Sequence, residues 1–474
     1  MNGPVLNIAK VKYARRTAMA VIALGALAAL YLNVPGHLSF DSVLQLYQGR
    51  TGVYNSWHPP IMAWLLGLAD AVTPGPGLFV VFDCLLLFGS LAWLLALPDG
   101  RRGSWAAPAV AAACMVSPLW IIYPGIVWKD VLFAATSLAG FTALAQAAAW
   151  WPEPRRRLPL IGLAIVLMAL AGLARQTGAV VPIFGCIALA VIAARAAPRG
   201  GMFRGAGYGL GALAAATGIM VASTLALDTR SDGEPARIYQ MEDLQIFDLA
   251  GAVSLRPSLP LEQLRAANPR LEQLVRTDAA DEYDPRRIDP LAALDELHDV
   301  MIRTPPSVIA AQWRDLILHH PDLYLTVRAT DFYWVALTPD IHECVPFFVG
   351  IDGPEPFMAR LGLVQRLNAR DRLLKGYGDA LSGTPAFSHA LFGLIALFVL
   401  VKLGLRRRPP DVALAAMLLS ALAFSASFLV VSVACDYRYL YVLDVSAMAA
   451  ALYLAASSGP GRPRNNAGAG ALTR

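Results

Sequence analysis

The sequence has few charged residues and few cysteines for its length. Aspartate, glutamate, lysine and arginine make up 15% of the 474 residues, against about 25% in ordinary soluble domains. The formal net charge is only +5, which is a small excess for a protein dedicated to nucleic-acid binding. The five cysteines are too scattered to form a disulfide framework. This composition excludes a dedicated nucleic-acid binder and a small disulfide-stabilised domain.

Hydrophobic residues are abundant instead, at 57% of the chain, and the mean hydropathy is +0.51. A soluble chain of this size could not bury so much apolar surface, so a cytosolic enzyme and a disordered chain are excluded as well. Runs of about 18–22 apolar residues are long enough to cross a membrane core about 30 Å thick. We therefore predict an all-α polytopic membrane protein with about ten spans, at residues 17–34, 77–97, 105–123, 131–150, 158–174, 178–195, 206–227, 386–404, 411–433 and 439–456.

Positive charge alternates between the two sides of these spans. If the N-terminus is cytoplasmic, every inside segment is basic, through Lys10, Lys12, Arg15, Arg16, Arg101, Arg102, Arg155, Arg156, Arg157, Arg195, Arg199, Arg204, Lys402, Arg406, Arg407, Arg408, Arg462, Arg464 and Arg474. The short outside segments hold only Arg50, Lys129, Arg175 and Arg438. The positive-inside rule then predicts that both termini are cytoplasmic. The wealth of alanine, arginine and glycine is typical of a GC-rich bacterial genome, and hence of a bacterial inner membrane.

Two outside segments are long. The first runs over 35–76 and includes 59–73, a short apolar stretch with two prolines and Asp70 that favours an interfacial helix over a span. The second outside segment, within 228–385, has the amino-acid composition of an ordinary soluble protein, and its length is typical of a functional loop. We expect a seven-helix membrane module at 1–227, a periplasmic loop domain at 228–385, and C-terminal membrane helices with a short cytoplasmic tail at 386–474. Cys344 and Cys435 both fall on the outside, where a disulfide between them is allowed.

Polar residues from four separate connections are expected to meet at the outer side of the membrane. They are Asp41, His58, Lys129, Asp130, Arg175 and Arg438, with Asp436 beside Arg438. Most have an ordinary alternative: Asp41 could be a helix N-cap, Lys129 and Asp130 a solvated pair, and the two arginines could reach lipid headgroups. Charges at membrane depth are costly and usually serve a partner or a substrate. Several cations at one depth suit a phosphate held in the outer leaflet.

Asp83 lies inside the second predicted span and supports a rival interpretation. It could be the proton site of a secondary transporter or a lipid or glycan flippase, although such proteins tend to show internal repeats and polar sites at mid-membrane. Here the polar candidates gather at one face and no convincing repeat is present. A third alternative, a structural subunit of envelope polysaccharide machinery, has no positive signal in the residues.

The order of these residues resembles the GT-C superfamily of membrane glycosyltransferases, which includes protein O-mannosyltransferases and the aminoarabinose transferase of lipid A. The resemblance rests on Asp41 shortly after the first span, on His-Pro-Pro at 58–60, and on a second acidic site at Asp130 preceded by Lys129. The seven-span module and the long outer loop after it extend the resemblance over essentially the whole topology. Many relatives have Asp-Glu where this chain has Asp41-Ser42, and others have lysine in place of His58, so the chain looks like a divergent bacterial branch.

The resemblance implies a polyprenyl-phosphate-sugar-dependent glycosyltransferase acting at the periplasmic face in envelope glycan or lipid modification. The donor would be a sugar on a polyprenyl phosphate, the acceptor a hydroxyl of a glycan, lipid or protein, and the surrounding partners membrane lipids, with no nucleic acid. Asp41 would act as the base, with inversion at the anomeric carbon. Lys129, Arg175 and Arg438 would contact the phosphate, and His58 the substrate. Asp130 would orient Lys129 or, with Asp41, hold a divalent metal, since the superfamily includes both metal-dependent and metal-independent enzymes.

Overall fold

The computed structural model describes residues 3–55, 58–97, 104–197, 199–228 and 236–457, and within this part the regular elements are helices. The predicted inside residues Arg101, Arg102, Arg462, Arg464 and Arg474, and most of the predicted cytoplasmic tail, lie outside the described residues. The N-terminal part contains α1 (Gly3–Asn33), α2 (Phe40–Thr51), α3 (Pro60–Val72), α4 (Gly77–Leu95), α5 (Ala106–Met115), α6 (Pro118–Ile121), α7 (Lys129–Ala149), α8 (Pro154–Ala174), α9 (Val180–Arg195) and α10 (Gly201–Asp228), with a 3₁₀ turn at Tyr123–Gly125.

A loop segment of shorter helices follows, and three long helices end the described chain. The loop segment contains α11 (Ala236–Leu255), α12 (Glu262–Ala267), α13 (Pro269–Leu274), α14 (Asp289–Ala292), α15 (Asp295–Ile302), α16 (Pro306–His319), α17 (Pro321–Leu337), α18 (Glu355–Leu361) and α19 (Ala369–Leu381), with a π turn at Val275–Ala279 and 3₁₀ turns at Ile341–Cys344 and Pro385–Phe387. The C-terminal helices are α20 (His389–Arg406), α21 (Pro409–Val431) and α22 (Tyr441–Ala456), and a 3₁₀ turn at Tyr437–Leu440 leads into α22.

Within the described part of the chain, eight helices are long and apolar enough to cross a membrane, and nine if one bent pair counts as a single span. This confirms the predicted all-α polytopic membrane class. Two of the ten predicted spans differ from the expectation. The predicted span 105–123 is broken, because α5 ends at Met115 and α6 starts at Pro118 with a bend of 71°. The predicted span 178–195 forms α9, which at 16 residues is too short to be counted among these eight helices.

The break after α5 has a local cause. Pro118 has no N–H group to continue the hydrogen bonds of α5, and it occupies the first turn of α6, a position where proline is tolerated. The Ser117 side chain caps the new helix by accepting a hydrogen bond from the backbone N–H of Leu119. The chain therefore changes direction beneath the loop that leads to Lys129.

Helix α7 forms the centre of the bundle. It packs against α4, α8, α21 and α22, and its apolar stretch is fully buried within the protein. Its many alanines and Gly140 allow neighbours to approach closely, since a Cβ atom at Gly140 would collide with the side chain of Met168. The N-terminus of α7, which carries Lys129 and Asp130, is therefore surrounded by other helices. We call the bundle end at which α7 begins the loop side.

The loop segment packs in two ways. Residues between Ile246 and Val327 form a hydrophobic core of their own. Further along, Ile351 and Leu374 belong to the same core as the long helices. A disulfide joins Cys344 to Cys435, so the loop segment is covalently tied to the chain just before the last helix. The stretch 59–73 contains helix α3, and its position at the membrane interface stays a prediction. Asp70 of this helix pairs with Arg50 of α2 at 2.6 Å.

Candidate active site

Asp41 is positioned by a backbone clamp at the loop side. The backbone of His37 exchanges hydrogen bonds with Gly125 and Val127, at 2.8 and 3.0 Å, and the backbone of Leu38 bonds on its other side to Gly350 at 2.9 Å. Helix α2 then starts at Phe40 with Ser39 at its N-cap position. The alternative in which Asp41 is only the N-cap is therefore wrong. Its carboxylate lies in the first turn, where the helix dipole favours negative charge.

Two hydroxyl groups tie the start of α2 to the start of α7. Ser39 Oγ accepts a hydrogen bond from Trp128 Nε1 at 2.9 Å, and Ser42 Oγ donates to the carbonyl of Val127 at 2.6 Å. Asp41 and Asp130 each lie in the first turn of their helix. The two helix N-termini therefore meet with an acidic residue at each, although 89 residues separate Trp128 from Ser39 in the sequence.

Arg438 lies between three carboxylates. Its Nη2 atom is 3.0 Å from Asp41 Oδ2 and 3.0 Å from Asp436 Oδ2, and its Nε atom is 3.9 Å from Asp130 Oδ2. The guanidinium also lies over the ring of Trp128, 4.8 Å from the ring centre. A planar guanidinium with several donors can serve such a set, which the point charge of a lysine could not do equally well. The turn before the last helix thus supplies the cation that joins the first loop to α7.

Arg175 supports the same cluster from α8. Its Nη1 atom is 2.7 Å from Asp130 Oδ1, and both side chains are buried. The guanidinium lies between 5.2 and 5.9 Å from the ring centres of Phe424, Phe428 and Tyr439. Arg175 therefore does not extend to the bilayer surface, which was its ordinary alternative. The aromatic rings keep water away and strengthen the pair.

His58 connects Asp41 to Lys129. The Lys129 ammonium donates to His58 Nδ1 at 2.9 Å, and His58 Nε2 is 3.6 Å from Asp41 Oδ1. An ammonium can only donate, so the ring proton of a neutral imidazole belongs on Nε2, where it faces the carboxylate. Burial and the charge of Lys129 lower the pKa of His58, which keeps the ring neutral at pH 7.

The charges at the site nearly balance, with three carboxylates, two guanidinium groups and one ammonium. Burial alone would raise the pKa of Asp41, but the contact with His58 and the charges of Arg438 and Lys129 outweigh burial and hold it well below its ordinary value. Asp436 behaves differently, because burial raises its pKa and Arg438 offsets only part of that effect. The two carboxylates beside Arg438 therefore differ in their pKa: Asp41 is held ionised, and Asp436 binds a proton more readily.

The structure brings all six sequence-predicted residues into one cluster, Asp41, His58, Lys129, Asp130, Arg175 and Arg438. Asp436, which the sequence placed at the same face beside Arg438 but without a role, also belongs to the cluster. Sequence reasoning did not assign Trp128 or Tyr439 to it. These two aromatic residues had no usable signal, because an aromatic residue at a span end is ordinary in membrane proteins.

The metal-binding alternative fits this cluster poorly. Within the described ranges, no group of three or more His, Cys, Asp or Glu side chains is arranged to hold a metal ion. Asp41 and Asp130 each face a guanidinium at a distance of 3 Å or less. We therefore derive no step through a metal.

Two other features lie away from the cluster. Asp83 is buried in α4, and its Oδ1 atom has no hydrogen-bond partner among the described residues. A cavity of about 870 Å³ lies between α5, α20 and α22, with a largely apolar lining that includes Phe392 and Met448. None of the six predicted site residues lines this cavity.

No protein-family model and no curated protein sequence matches the chain. Among solved structures, it is similar to the oligosaccharyltransferase AglB of Archaeoglobus fulgidus in complex with an inhibitory peptide and a dolichol-phosphate, at 14% identity and a TM-score of 0.42 over 92% of this chain and 50% of the other. A structure of the Archaeoglobus fulgidus oligosaccharyltransferase with zinc and sulfate gives the same identity and TM-score over 92% and 48%. The chain thus spans about half the length of these structures.

Proposed function

We propose that this protein is a membrane glycosyltransferase that moves a sugar from a polyprenyl-phosphate donor to an acceptor hydroxyl at the periplasmic face of a bacterial inner membrane. One observation carries the proposal: Asp41 of the first loop and Asp130 of α7 converge, together with Asp436, on the single guanidinium of Arg438. A network of buried charges at the end of a membrane bundle is costly to maintain for stability alone. A base beside several phosphate-binding cations is what glycosyl transfer from a lipid phosphate requires.

The proposed reaction is a single in-line displacement. The acceptor oxygen forms a bond to the anomeric carbon as the bond from that carbon to the phosphate oxygen breaks, so the anomeric centre inverts. The hydroxyl proton passes to Asp41, and the departing phosphate keeps the bonding electron pair. Lys129, Arg175 and Arg438 stabilise the negative charge that develops on the phosphate.

Because the pKa of Asp41 is low, the donor is proposed to activate this base as well as to supply the sugar. With Arg438 at 3.0 Å, Asp41 is a weak base in the free protein. A donor phosphate would draw Arg438 and Lys129 toward itself, and loss of their charge from Asp41 would raise its basicity. In this proposal Asp41 becomes an effective base once the donor is in place, which limits reaction with acceptors in its absence.

The proposal is tested with purified protein in lipid vesicles, supplied with a panel of undecaprenyl-phosphate sugars and extracted envelope acceptors. We expect release of undecaprenyl phosphate with one of the donors, and its loss in Asp41→Asn. Asp70→Asn is the matched control, because Asp70 also pairs with an arginine on the loop side but lies outside the cluster. Equal turnover by the Asp41→Asn variant and the wild type would remove Asp41 from the mechanism.

A further inference from the structure

The 3₁₀ turn that carries Arg438 is attached to a buried group of three polar residues. The hydroxyl of Tyr437 donates to Asp444 Oδ2 at 2.9 Å, and His389 Nδ1 lies 3.0 Å from both oxygens of the same carboxylate. The rings of His389 and Tyr437 stack with their centres 3.8 Å apart. All three residues are at most 2% exposed. Buried polar groups at the ends of membrane spans are expensive, so a specific use is expected.

These three residues join two parts of the chain. His389 opens α20, whereas Tyr437 opens the 3₁₀ turn and Asp444 lies in the first turn of α22, which follows it directly. The Tyr437 ring is held on further sides by Phe387 at 5.2 Å and Tyr123 at 6.4 Å between ring centres. Its direction is thus fixed by one hydrogen bond and by rings on several sides.

The direction of Tyr437 sets the direction of Arg438. Successive residues of a 3₁₀ helix are rotated by about 120°, since it has three residues per turn. Tyr437 and Leu440, three apart, both point into the core, whereas the Arg438 guanidinium faces Asp41 and Asp436. A rotation of this turn would move the guanidinium away from both carboxylates.

Other restraints on this part of the chain act before the turn. The disulfide holds Cys435, and Arg328 donates to the carbonyl of Ser432 at 2.7 Å. The backbone N–H of Cys435 also donates to the carbonyl of Arg286 at 2.9 Å. These contacts fix where the segment enters the site. Within the turn, the contacts of Tyr437 act together with the stacking of Tyr439 on Phe428 and the burial of Leu440.

We propose that Tyr437, Asp444 and His389 are positioning residues, which orient Arg438 toward Asp41 and toward the phosphate of the donor. This inference rests on the proposed function for its catalytic consequence. Its structural part, that the Tyr437–Asp444 bond fixes the turn, does not depend on it.

The test compares Tyr437→Phe with Tyr453→Phe in the purified protein. Tyr453 lies on α22, which follows the turn, and is 2% exposed, and its hydroxyl donates to a buried aspartate, Asp411, at 2.7 Å. The same chemical change is thus made within the Arg438 turn and away from it. Hydrogen exchange of residues 436–441 and transfer kinetics are measured for both variants, and also in an Arg438→Lys background.

We expect Tyr437→Phe to speed exchange in residues 436–441 and to lower kcat about tenfold, with the acceptor KM unchanged. In the Arg438→Lys background, the same substitution should cause little further loss, because the group that it positions is gone. Tyr453→Phe should change neither exchange in this turn nor kcat.

Unchanged exchange in Tyr437→Phe would overturn the inference, whatever the protein catalyses. Faster exchange with wild-type kcat would also overturn it, because the turn would then move without affecting the reaction. If the wild type transfers no sugar from any donor, the proposed function fails, and the exchange result alone decides whether Tyr437 holds the turn.

Discussion

Arg438 is the residue whose replacement should be most damaging, because it is shared by three carboxylates. Its side chain is 14% exposed and that of Asp41 is 27% exposed, so neither charge is well screened by water. A pair at about 4 Å is worth about 4 kcal/mol at an effective dielectric constant of 20. Removing one partner of a buried pair costs about 3–5 kcal/mol of stability. Removing one group that stabilises developing charge typically costs about 10²–10³ in kcat.

We therefore expect Arg438→Ala to lower kcat by about 10²–10³ per folded molecule, and Arg438→Lys to fall between this variant and the wild type. The assay is release of undecaprenyl phosphate in vesicles, normalised to folded protein. Arg406→Ala is the matched control, since Arg406 pairs with buried Asp411 at 2.8 Å and lies over Tyr453 at 5.3 Å from the ring centre. The Arg406→Ala variant should be less stable than the wild type, with an unchanged kcat. An Arg438→Ala variant within threefold of wild-type kcat would refute the reasoning.

Three further outcomes are expected. His58→Gln should change the acidic limb of the pH–rate profile, because glutamine still accepts from Lys129 but cannot be protonated, which leaves protonation of the Asp41 base as the cause of the limb. In the wild type, protonation of His58 should lower the rate below pH 6.5, since burial lowers the His58 pKa, and an unchanged limb would contradict this role of His58. Cys344→Ser should lower the free energy of unfolding by about 4 kcal/mol, because the disulfide closes a loop with a sequence separation of 91. Thermal unfolding should show the same loss of stability for Cys435→Ser and no larger loss for the double variant. Burial raises the Asp331 pKa from 3.8 to about 7, so the folded state holds this proton more tightly than the unfolded state. The stability of the protein therefore falls as pH rises through that range. Asp331→Asn should raise the unfolding temperature at pH 8 more than at pH 4, and an equal effect at both pH values would contradict this.

The span pattern was predictable because long apolar runs have few alternatives in a membrane protein. The break at Pro118 was harder to foresee, since apolar composition continues across it while the hydrogen-bond pattern does not. The length of α9 was not predictable from hydropathy either, because the helix begins only where the turn after Arg175 ends.

The members of the cluster were predictable from their depth and sign of charge, but their pairing was not. That Arg438 serves Asp41 and Arg175 serves Asp130 depends on how α2, α7, α8 and the last turn pack. The contact of His58 with Lys129 depends on the same packing. The Tyr437–Asp444–His389 group was missed because each member alone is an ordinary polar residue at or near a helix end.

The most direct test of the account compares a deletion strain that carries the wild-type protein with one that carries Asp41→Asn at equal membrane abundance. Polyprenyl-phosphate lipids and surface glycans of both strains are measured by mass spectrometry. The account predicts that the variant strain accumulates one polyprenyl-phosphate sugar and lacks the matching residue on a surface glycan, lipid or protein. Identical lipid and glycan profiles in the two strains would contradict it.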